Sequence, residues 1–383
     1  MTESGGQFRY AVLGAGLMGR AAAYDLLRHQ DTETVLLADS NRRALDECRS
    51  FLGDKRLETV ILEATDRDRV AALLARVDCA IAAMHYDLNL EFTRLAICTG
   101  RHLCDMGGNS RIVDRQIELN ESAKKAGVSI IPDCGLAPGM VSVLVRWGIE
   151  RFSWADTVRI RVGGLPQKPE GILKYGRLFS VEGLINEYIE PVRRLRNGKI
   201  EIIEPLTEVE EIVFPPPFGR LEAFTTSGGT STLVDTYKTR LKELDYKTIR
   251  YPGHCVAVRA MLELGLFSSE PVRIDSAETI PRKLTAALIE KNIPLCHEDA
   301  TLVRIDFSGG GKNHSLTIID RATADPKMTS MMRMTAFPAA IISRMQALGK
   351  IEDYGVLPQE KCVPVDAFLK ELADRSIIID GIS

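Results

Sequence analysis

The sequence predicts an α/β protein of two domains, and three observations carry that reading. From Arg9 to about Asp133, short apolar runs alternate with stretches of helical period. "RYAVLG", "LMGRAAAYDLLRH", "TVLLAD" and "NRRALDECRSFL" open the pattern, which continues through "LETVILE", "DRDRVAALLARV", "DCAIAAM", "NLEFTRLAICTG", "RHLCDM", the single helix "VDRQIELNESAKKAG" and "VSIIPD". Such alternation specifies βαβ units around a parallel sheet. The first unit contains "VLGAGLMG", a GxGxxG spacing between strand and helix. After Gly148 the texture changes to longer alternating strands, "TVRIRVGG", "KIEIIEP", "LEAFTT" and "TLVRIDFSGGGKNHSLTIIDR", the last a hairpin around its glycines. The expected architecture is a Rossmann-type dinucleotide-binding domain at 8–134 and a second α+β substrate domain with a mostly antiparallel sheet at 135–329. A length of 383 residues fits this division, at about 150 residues per domain.

Composition narrows the class. Lys+Arg number 49 and Asp+Glu 52, for a net charge of -3, and no basic stripe with interleaved aromatics tracks a phosphate backbone. Nucleic acid is not an expected partner. The longest stretches without Asp, Glu, Lys or Arg, Cys134 to Val145 and Ala223 to Val234, fall short of the roughly 20 apolar residues a spanning helix needs. "MTESGGQFRY" lacks the basic and apolar parts of a signal peptide, so a cytoplasmic protein without membrane contact is expected. Eight scattered cysteines without a CxxC or Cys/His cluster read as free, mostly buried thiols, and no metal is expected.

The glycine motif has separable physical parts. Gly14 allows the tight turn, Gly16 lets the backbone approach a pyrophosphate, and Gly19 lets the helix pack against its strand; Leu17 and Met18 present N–H groups at the helix start. Asp39 ends "TVLLAD" 20 positions beyond Gly19, placed to accept both ribose hydroxyls and to repel a 2′-phosphate. NAD is therefore the expected cofactor. Arg42 and Arg43 have two readings, a solvated helix start or a clamp for a 2′-phosphate.

Ligands of open α/β sheets bind beyond the carboxyl ends of the strands. The residues there are Met84 and His85 after the fourth strand, Asp105 in "DMGGN" after the fifth, and Asp133 after the sixth. Met84 and His85 are expected at the cofactor. Asp105 and Asp133 either cap local turns, Asp133 the helix from Pro138, or face the reaction. "SMMRMTAFPAAIISRMQALGK" is an amphipathic helix whose apolar face needs a partner. "FPPPFG" reads as a loop inside the second domain.

"DCGLAPGM", "GGLPQKP", "NEYIEPVRRLRNGK", "PLTEVEEI", "LEAFTTSGG", "RYPGH" and "LELGLF" together resemble the saccharopine dehydrogenase superfamily and, within it, the bacterial and archaeal L-lysine 6-dehydrogenases. The resemblance runs from about Phe8 to Ile378. It implies NAD-dependent oxidation of an amine carbon: the ε-amine of L-lysine becomes an imine, which hydrolyses to the semialdehyde with loss of ammonia and cyclises to a piperideine carboxylate. It also implies a homodimer or larger homo-oligomer, and a helix at 330–350 that returns to the dinucleotide-binding domain, with 351–383 as a tail packed on the core. Saccharopine reductases of this superfamily carry an Asp in "GLDPG" where this chain has Ala137, which argues for a smaller substrate than a dicarboxylic secondary amine.

Such chemistry needs a free nitrogen lone pair. A lysine ammonium has a reference pKa of about 10.4, so its deprotonation at pH 7 costs about 5 kcal/mol unless the site assists. His254 in "RYPGHC" is the expected base. It opens the apolar helix "CVAVRAMLELGLF", whose N-terminus favours the neutral imidazole, and its alternative is a plain helix cap. Asp133 or Asp105 would hold the ammonium or orient water. The α-carboxylate needs a cation, for which Arg250 is preferred and Arg193 is second. Thr225 and Thr226 in "FTTSGG" are expected substrate contacts. Cys134 is expected only to line the site, since hydride transfer needs no covalent intermediate. Two alternatives stand beside an amino acid dehydrogenase: a saccharopine-type enzyme joining an aldehyde to an amino acid, and a non-catalytic NAD-binding sensor.

Overall fold

β1 (Phe8–Leu13), β2 (Thr32–Asp39), β3 (Leu57–Ile61), β4 (Cys79–Ala82), β5 (His102–Asp105) and β6 (Ser129–Ile131) take up the short apolar runs of the first third of the chain. They pair in parallel in the order 3-2-1-4-5-6. β1 and β4 are central, and Tyr10, Ala11, Val12, Cys79, Ala80 and Ile81 are fully buried, which is why these strands read as continuous apolar runs. The order reverses between β1 and β4, so a crevice opens beyond their carboxyl ends. α1 (Leu17–Leu27) and α2 (Arg42–Leu52) make the first two crossovers. This computed structural model describes residues 6–275 and 277–382.

The chain divides into two compact units. The first comprises the residues up to Trp147 together with Met332–Ser376, and the second Gly148–Met331 together with the residues from Ile377. By packing, the first unit extends past the expected boundary at 134 to Trp147, because the chain leaves β6 through the helix Val141–Arg151, whose N-terminal part is buried. A second correction concerns "VDRQIELNESAKKAG", which forms two helices, Ser110–Ile117 and Asn120–Ala126. The chain turns at Leu119, which packs with Ile117 against the core of the sheet.

From Met332 on, the helix Ser330–Ala347 belongs to the first unit, with Met334, Phe337, Ile341, Ile342 and Met345 buried. Gln346 near its end donates to the carbonyl oxygens of Ser129 (2.9 Å) and Leu103 (3.3 Å). The residues after 350 do not form one tail. Gly355–Val356 adds a parallel strand beside β6, and Arg375 makes a buried two-pronged pair with Asp25 of α1 at 2.7 Å. From Ile377 the chain joins the second unit, where Asp380 exchanges backbone hydrogen bonds with Thr317.

In the second unit β7 (Thr157–Pro166), β8 (Val192–Arg196), β9 (Lys199–Ile203), β10 (Glu210–Phe214), β11 (Gly219–Thr225) and β12 (Glu243–Arg250) join the hairpin Asp299–Gly309/Lys312–Arg321 in an eight-stranded sheet. All its pairs are antiparallel except β12 with β7. "FPPPFG" turns β10 into β11, with Phe214 paired to Gly219. The helix Val181–Ile189 starts at Ser180, whose hydroxyl accepts the Gly183 N–H, and buries Val181, Leu184, Ile185 and Tyr188. That spacing is one face of a helix, so Tyr188 is carried inward. Among the described residues no helix is long and apolar enough to cross a membrane.

Candidate functional site

At the carboxyl edge of the first unit's sheet, two of the three glycines are explained by the protein itself. Gly14 has φ +107°, and a Cβ there would lie 2.5 Å from the Ala83 carbonyl oxygen and 3.0 Å from Met84 Cγ. A Cβ on Gly19 would lie 1.8 Å from the Gly14 carbonyl oxygen. Gly16 differs: its φ of -70° suits any residue, and a Cβ would meet nothing within 4 Å. Its bare backbone is therefore open to an incoming group. α1 begins at Leu17 and Met18 with no side-chain cap and no acidic residue in its first turn, so its N-terminal N–H groups and partial positive charge suit a phosphate. These features fit a dinucleotide.

Asp39 does more here than face a ribose. Its Oδ2 accepts the Ala15 N–H at 2.7 Å and its Oδ1 the Asn41 N–H at 2.8 Å, so the carboxylate ties the glycine turn to the start of α2 and keeps further lone pairs for hydroxyl donors. Beside it, a recess of about 910 Å³ is lined by Arg20, Arg42, Arg43 and Phe51 among others, with the Arg20 guanidinium 4.8 Å from the Phe51 ring. His85 is exposed, with Nδ1 3.3 Å from Asp87 Oδ2 and its ring against Tyr86.

Asp105 and Asp133 do meet, as parts of a loop scaffold. Asp105 is fully buried; its Oδ1 accepts the N–H groups of Gly107 (2.8 Å) and Asp133 (3.1 Å), and its Oδ2 accepts Gln116 Nε2 (2.8 Å). Burial raises its pKa against these bonds. This corrects the catalytic reading of Asp105, because its carboxylate is spent on fastening the loops after β5 and β6. Asp133 is buried in a left-handed conformation, φ +61°, with its side chain packed over Gly107. It does not cap a helix from Pro138, since Ala137, Pro138 and Gly139 are non-helical and the regular helix starts at Val141. Cys134 is fully buried, with its thiol directed at the Ile131 carbonyl (3.2 Å) and its pKa pushed up by burial. Such a thiol is inert.

The second unit holds a chain of directed hydrogen bonds. Gly253, with φ +95°, ends the turn that swings His254 inward at the start of the helix His254–Glu263. His254 Nδ1 lies 2.8 Å from the Leu173 carbonyl oxygen, which only accepts, so Nδ1 carries the hydrogen. Nε2 then accepts from the Tyr188 hydroxyl at 3.0 Å, and the Tyr188 oxygen accepts from Arg250 Nε at 3.3 Å. Phe224 stacks with the imidazole at 6.3 Å. Burial, together with the Arg250 charge, drives His254 down to about 3. The imidazole is neutral, as expected of it, but its Nε2 lone pair is engaged by Tyr188, and taking a proton would break that bond and place a second cation beside a buried guanidinium. In this arrangement His254 orients Tyr188, and Tyr188 orients Arg250.

Arg250 is 3% exposed, lies 5.3 Å over the Tyr175 ring and donates from Nη1 to the Ile249 carbonyl at 3.0 Å. Among the described residues it makes no ion pair. A desolvated cation so held attracts negative charge, and the Glu187 carboxylate is one such charge acting on it. Arg193, the second expected cation, pairs with Asp235 at 2.7 Å in a part-exposed ion pair. Thr225 is corrected: its hydroxyl bonds Thr207 and the Glu204 carbonyl, closing the loop from β9 to β10. Thr226 bonds the Thr248 hydroxyl at 2.7 Å and joins β11 to β12 beneath the cluster. Sequence reading passed over Tyr175, Tyr188 and Glu187. The last two stand in "NEYIEP", and the 181, 184, 185, 188 spacing was the signal that could have found Tyr188.

Comparison with known proteins covers both units. Residues 10–131 match the model described as the saccharopine dehydrogenase NADP binding domain, and residues 135–378 the saccharopine dehydrogenase C-terminal domain. Over 269 residues the chain is 24% identical to the mitochondrial alpha-aminoadipic semialdehyde synthase of Rattus norvegicus, an alignment covering 68% of this chain and 28% of the rat protein. It is 22% identical over 254 residues to the saccharopine dehydrogenase [NADP(+), L-glutamate-forming] of Pyricularia oryzae, covering 61% of this chain and 55% of that one. Among solved structures, the apo saccharopine dehydrogenase (L-Glu forming) of Saccharomyces cerevisiae shares the fold with a TM-score of 0.77 at 18% identity, over 98% of this chain and 100% of the yeast chain.

Proposed function

The chain belongs to the saccharopine dehydrogenase family, and on that premise we propose that it is an NAD-dependent amino acid dehydrogenase that oxidises L-lysine at its ε carbon, yielding the 6-semialdehyde and ammonia. Bound nicotinamide supplies the hydride acceptor. The observation that carries the amino acid reading is Arg250, a buried guanidinium oriented by Tyr188 and Tyr175 that makes no direct ion pair among the described residues. A substrate α-carboxylate would supply such a partner. Gly14, Gly16 and Gly19, with Leu17 and Met18 at the start of α1, would hold the pyrophosphate. Ala137, in place of the acid of "GLDPG", supports a smaller substrate than saccharopine.

Asp39 supports NAD, since its carboxylate opposes a 2′-phosphate. Arg20, Arg42 and Arg43 around the neighbouring recess are the counterweight, so Asp39→Ser is expected to shift the kcat/KM ratio toward NADP. An unaltered ratio would mean that the ribose is read elsewhere.

A second reading, a saccharopine-type enzyme, is favoured by the names of the relatives. The discriminating experiment follows reduced nucleotide formation from NAD and NADP with L-lysine, L-ornithine, saccharopine and 1,5-diaminopentane at mildly alkaline pH. Lysine turnover with ammonia release is expected. Turnover of saccharopine with glutamate release, and none of lysine, establishes the second reading; nucleotide binding without turnover of any amine leaves a sensor.

A further inference from the structure

Glu222 holds the turn on which the Arg250 chain depends. It lies buried on β11, directly across the ladder from Arg250, so the two side chains leave the same face of the sheet. Opposite charges so placed commonly pair. Here the carboxylate takes two backbone donors instead: Oε2 accepts the Gly253 N–H at 2.9 Å and Oε1 the Cys255 N–H at 2.7 Å. His254 stands between these two residues.

The arrangement answers a local need. The helix His254–Glu263 begins after Gly253, which has no side chain to cap it, and after Pro252, which has no N–H. An ionised carboxylate offers two acceptor oxygens and no donor, so it can take both N–H groups at once and set its charge against the helix N-terminus. The remaining N–H of the turn, that of His254, goes to the Tyr251 carbonyl at 3.3 Å. From the other side, Lys174 Nζ donates to the Pro252 carbonyl at 3.1 Å.

Fixing the peptides on either side of His254 fixes the direction of its Cα–Cβ bond, and the imidazole needs that direction. Nδ1 has to meet the Leu173 carbonyl at 2.8 Å while Nε2 meets the Tyr188 hydroxyl at 3.0 Å, on opposite sides of one rigid ring. A tilt of the turn that lengthens either bond loosens Tyr188, whose oxygen holds Arg250 Nε at 3.3 Å. A binding group is only as well placed as the residues that support it.

We propose that Glu222 is a positioning residue: by bracketing His254 between the Gly253 and Cys255 amides it locks the imidazole as the Nδ1–H tautomer and so sets, through Tyr188, the orientation of Arg250. This deepens the proposed function and rests on it for the identity of the ligand that Arg250 meets. It also gives "LEAFTT" a common purpose. Glu222 anchors the turn of His254, Thr225 closes the loop before β11, and Thr226 ties β11 to the strand that carries Arg250.

The test is Glu222→Gln, which keeps the size of the side chain but turns an NH2 donor toward one of the two N–H groups. Long-range proton–nitrogen correlation spectra of protein labelled at its histidines read the tautomer at pH 7, and among the six histidines the His254 signal is the one missing from His254→Gln. The parent is expected to show His254 with Nδ1 protonated and Nε2 bare, and Glu222→Gln a mixture of tautomers. In isothermal titration Glu222→Gln is expected to bind L-lysine ~10-fold more weakly at unchanged NAD affinity, and in turnover the loss is expected in KM rather than kcat. A residue that merely caps the helix would lower the urea midpoint and leave the tautomer and the lysine affinity as in the parent, and that result overturns the positioning role. So does a parent in which His254 is protonated or carries its hydrogen on Nε2. Where Glu222→Gln fails to fold, Glu222→Asp, which keeps the charge near the helix start but sets it one methylene short of both N–H groups, carries the same comparison with the same two outcomes. If L-lysine, L-glutamate and L-saccharopine all fail to bind the parent, the amino acid reading falls, and the tautomer comparison alone decides the role of Glu222.

Discussion

At the nucleotide edge of the first unit the working parts are main-chain groups and absent side chains, whereas in the second unit they are side chains from separate segments. Gly14 to Gly19 operate within one turn, and what they need is empty space. The Arg250–Tyr188–His254–Leu173 chain spans 81 residues between its last two members and needs every donor to face its acceptor. The two constructions should therefore fail differently. A misplaced Cβ in the first is resisted by backbone that cannot yield, while a conservative change in the second removes one bond and leaves the enclosure standing.

The largest expected effect lies in the glycine turn. Gly19→Val would drive its Cβ into the Gly14 carbonyl, itself pinned by the Gly14 N–H to Ala38 bond of 2.7 Å, and is expected to cost about 3 kcal/mol or more of stability in urea unfolding. Gly16→Val separates space for the fold from space for the ligand. Its stability should stay within about 0.5 kcal/mol of the parent, while dinucleotide affinity falls ~100-fold. Equal losses of stability in the two variants would break the distinction drawn between Gly16 and Gly19.

In the second unit, Arg250→Gln is expected to lower amino acid affinity by ~10- to 100-fold while leaving dinucleotide affinity unchanged. A parallel loss of both would show that Arg250 supports the fold rather than a ligand. His254→Gln gives a smaller, pH-dependent effect. The imidazole is held down at about 3 in the folded chain, whereas the unfolded one titrates near 6.5, so between these values the unfolded state binds the extra proton. Stability from this group is complete above pH ~6.5 and falls as pH drops toward 3, by at most about 1.4 kcal/mol per unit. Urea unfolding of parent and variant at pH 7 and pH 5 checks the sign: the parent should lose more stability on acidification than His254→Gln. The smallest effect is expected at Arg193→Gln, where a half-exposed pair with Asp235 contributes less than about 1 kcal/mol. A large loss of turnover there would restore Arg193 to the substrate site.

These differences also decide what could be read from the chain alone. The central strands β1, β4, β5 and β6 were legible because strands buried on both faces leave apolar runs, and the glycine turn because its requirements lie in consecutive residues. Asp105 was not, since a carboxylate at a strand end looks the same whether it meets a substrate or, as here, Gln116 and the N–H groups of Gly107 and Asp133. Thr225 misled for the same reason, its partners coming from Glu204 and Thr207. His254 was found by its motif, but its protonation depends on Leu173 and Tyr188, which no local pattern connects to it.

The pair between Asp25 and Arg375 closes residues 350 positions apart. At ~5–20 residues per second of synthesis, the nascent sheet waits on the order of tens of seconds for that partner and for the helix that covers Leu103 and Ser129. Throughout that time Gly148–Met331, the bulk of the second unit, is being made, and one face of the first stays bare. On the ribosome most of the middle of this chain can therefore fold before its beginning is complete, and the early part is the one that stays exposed longest to its neighbours.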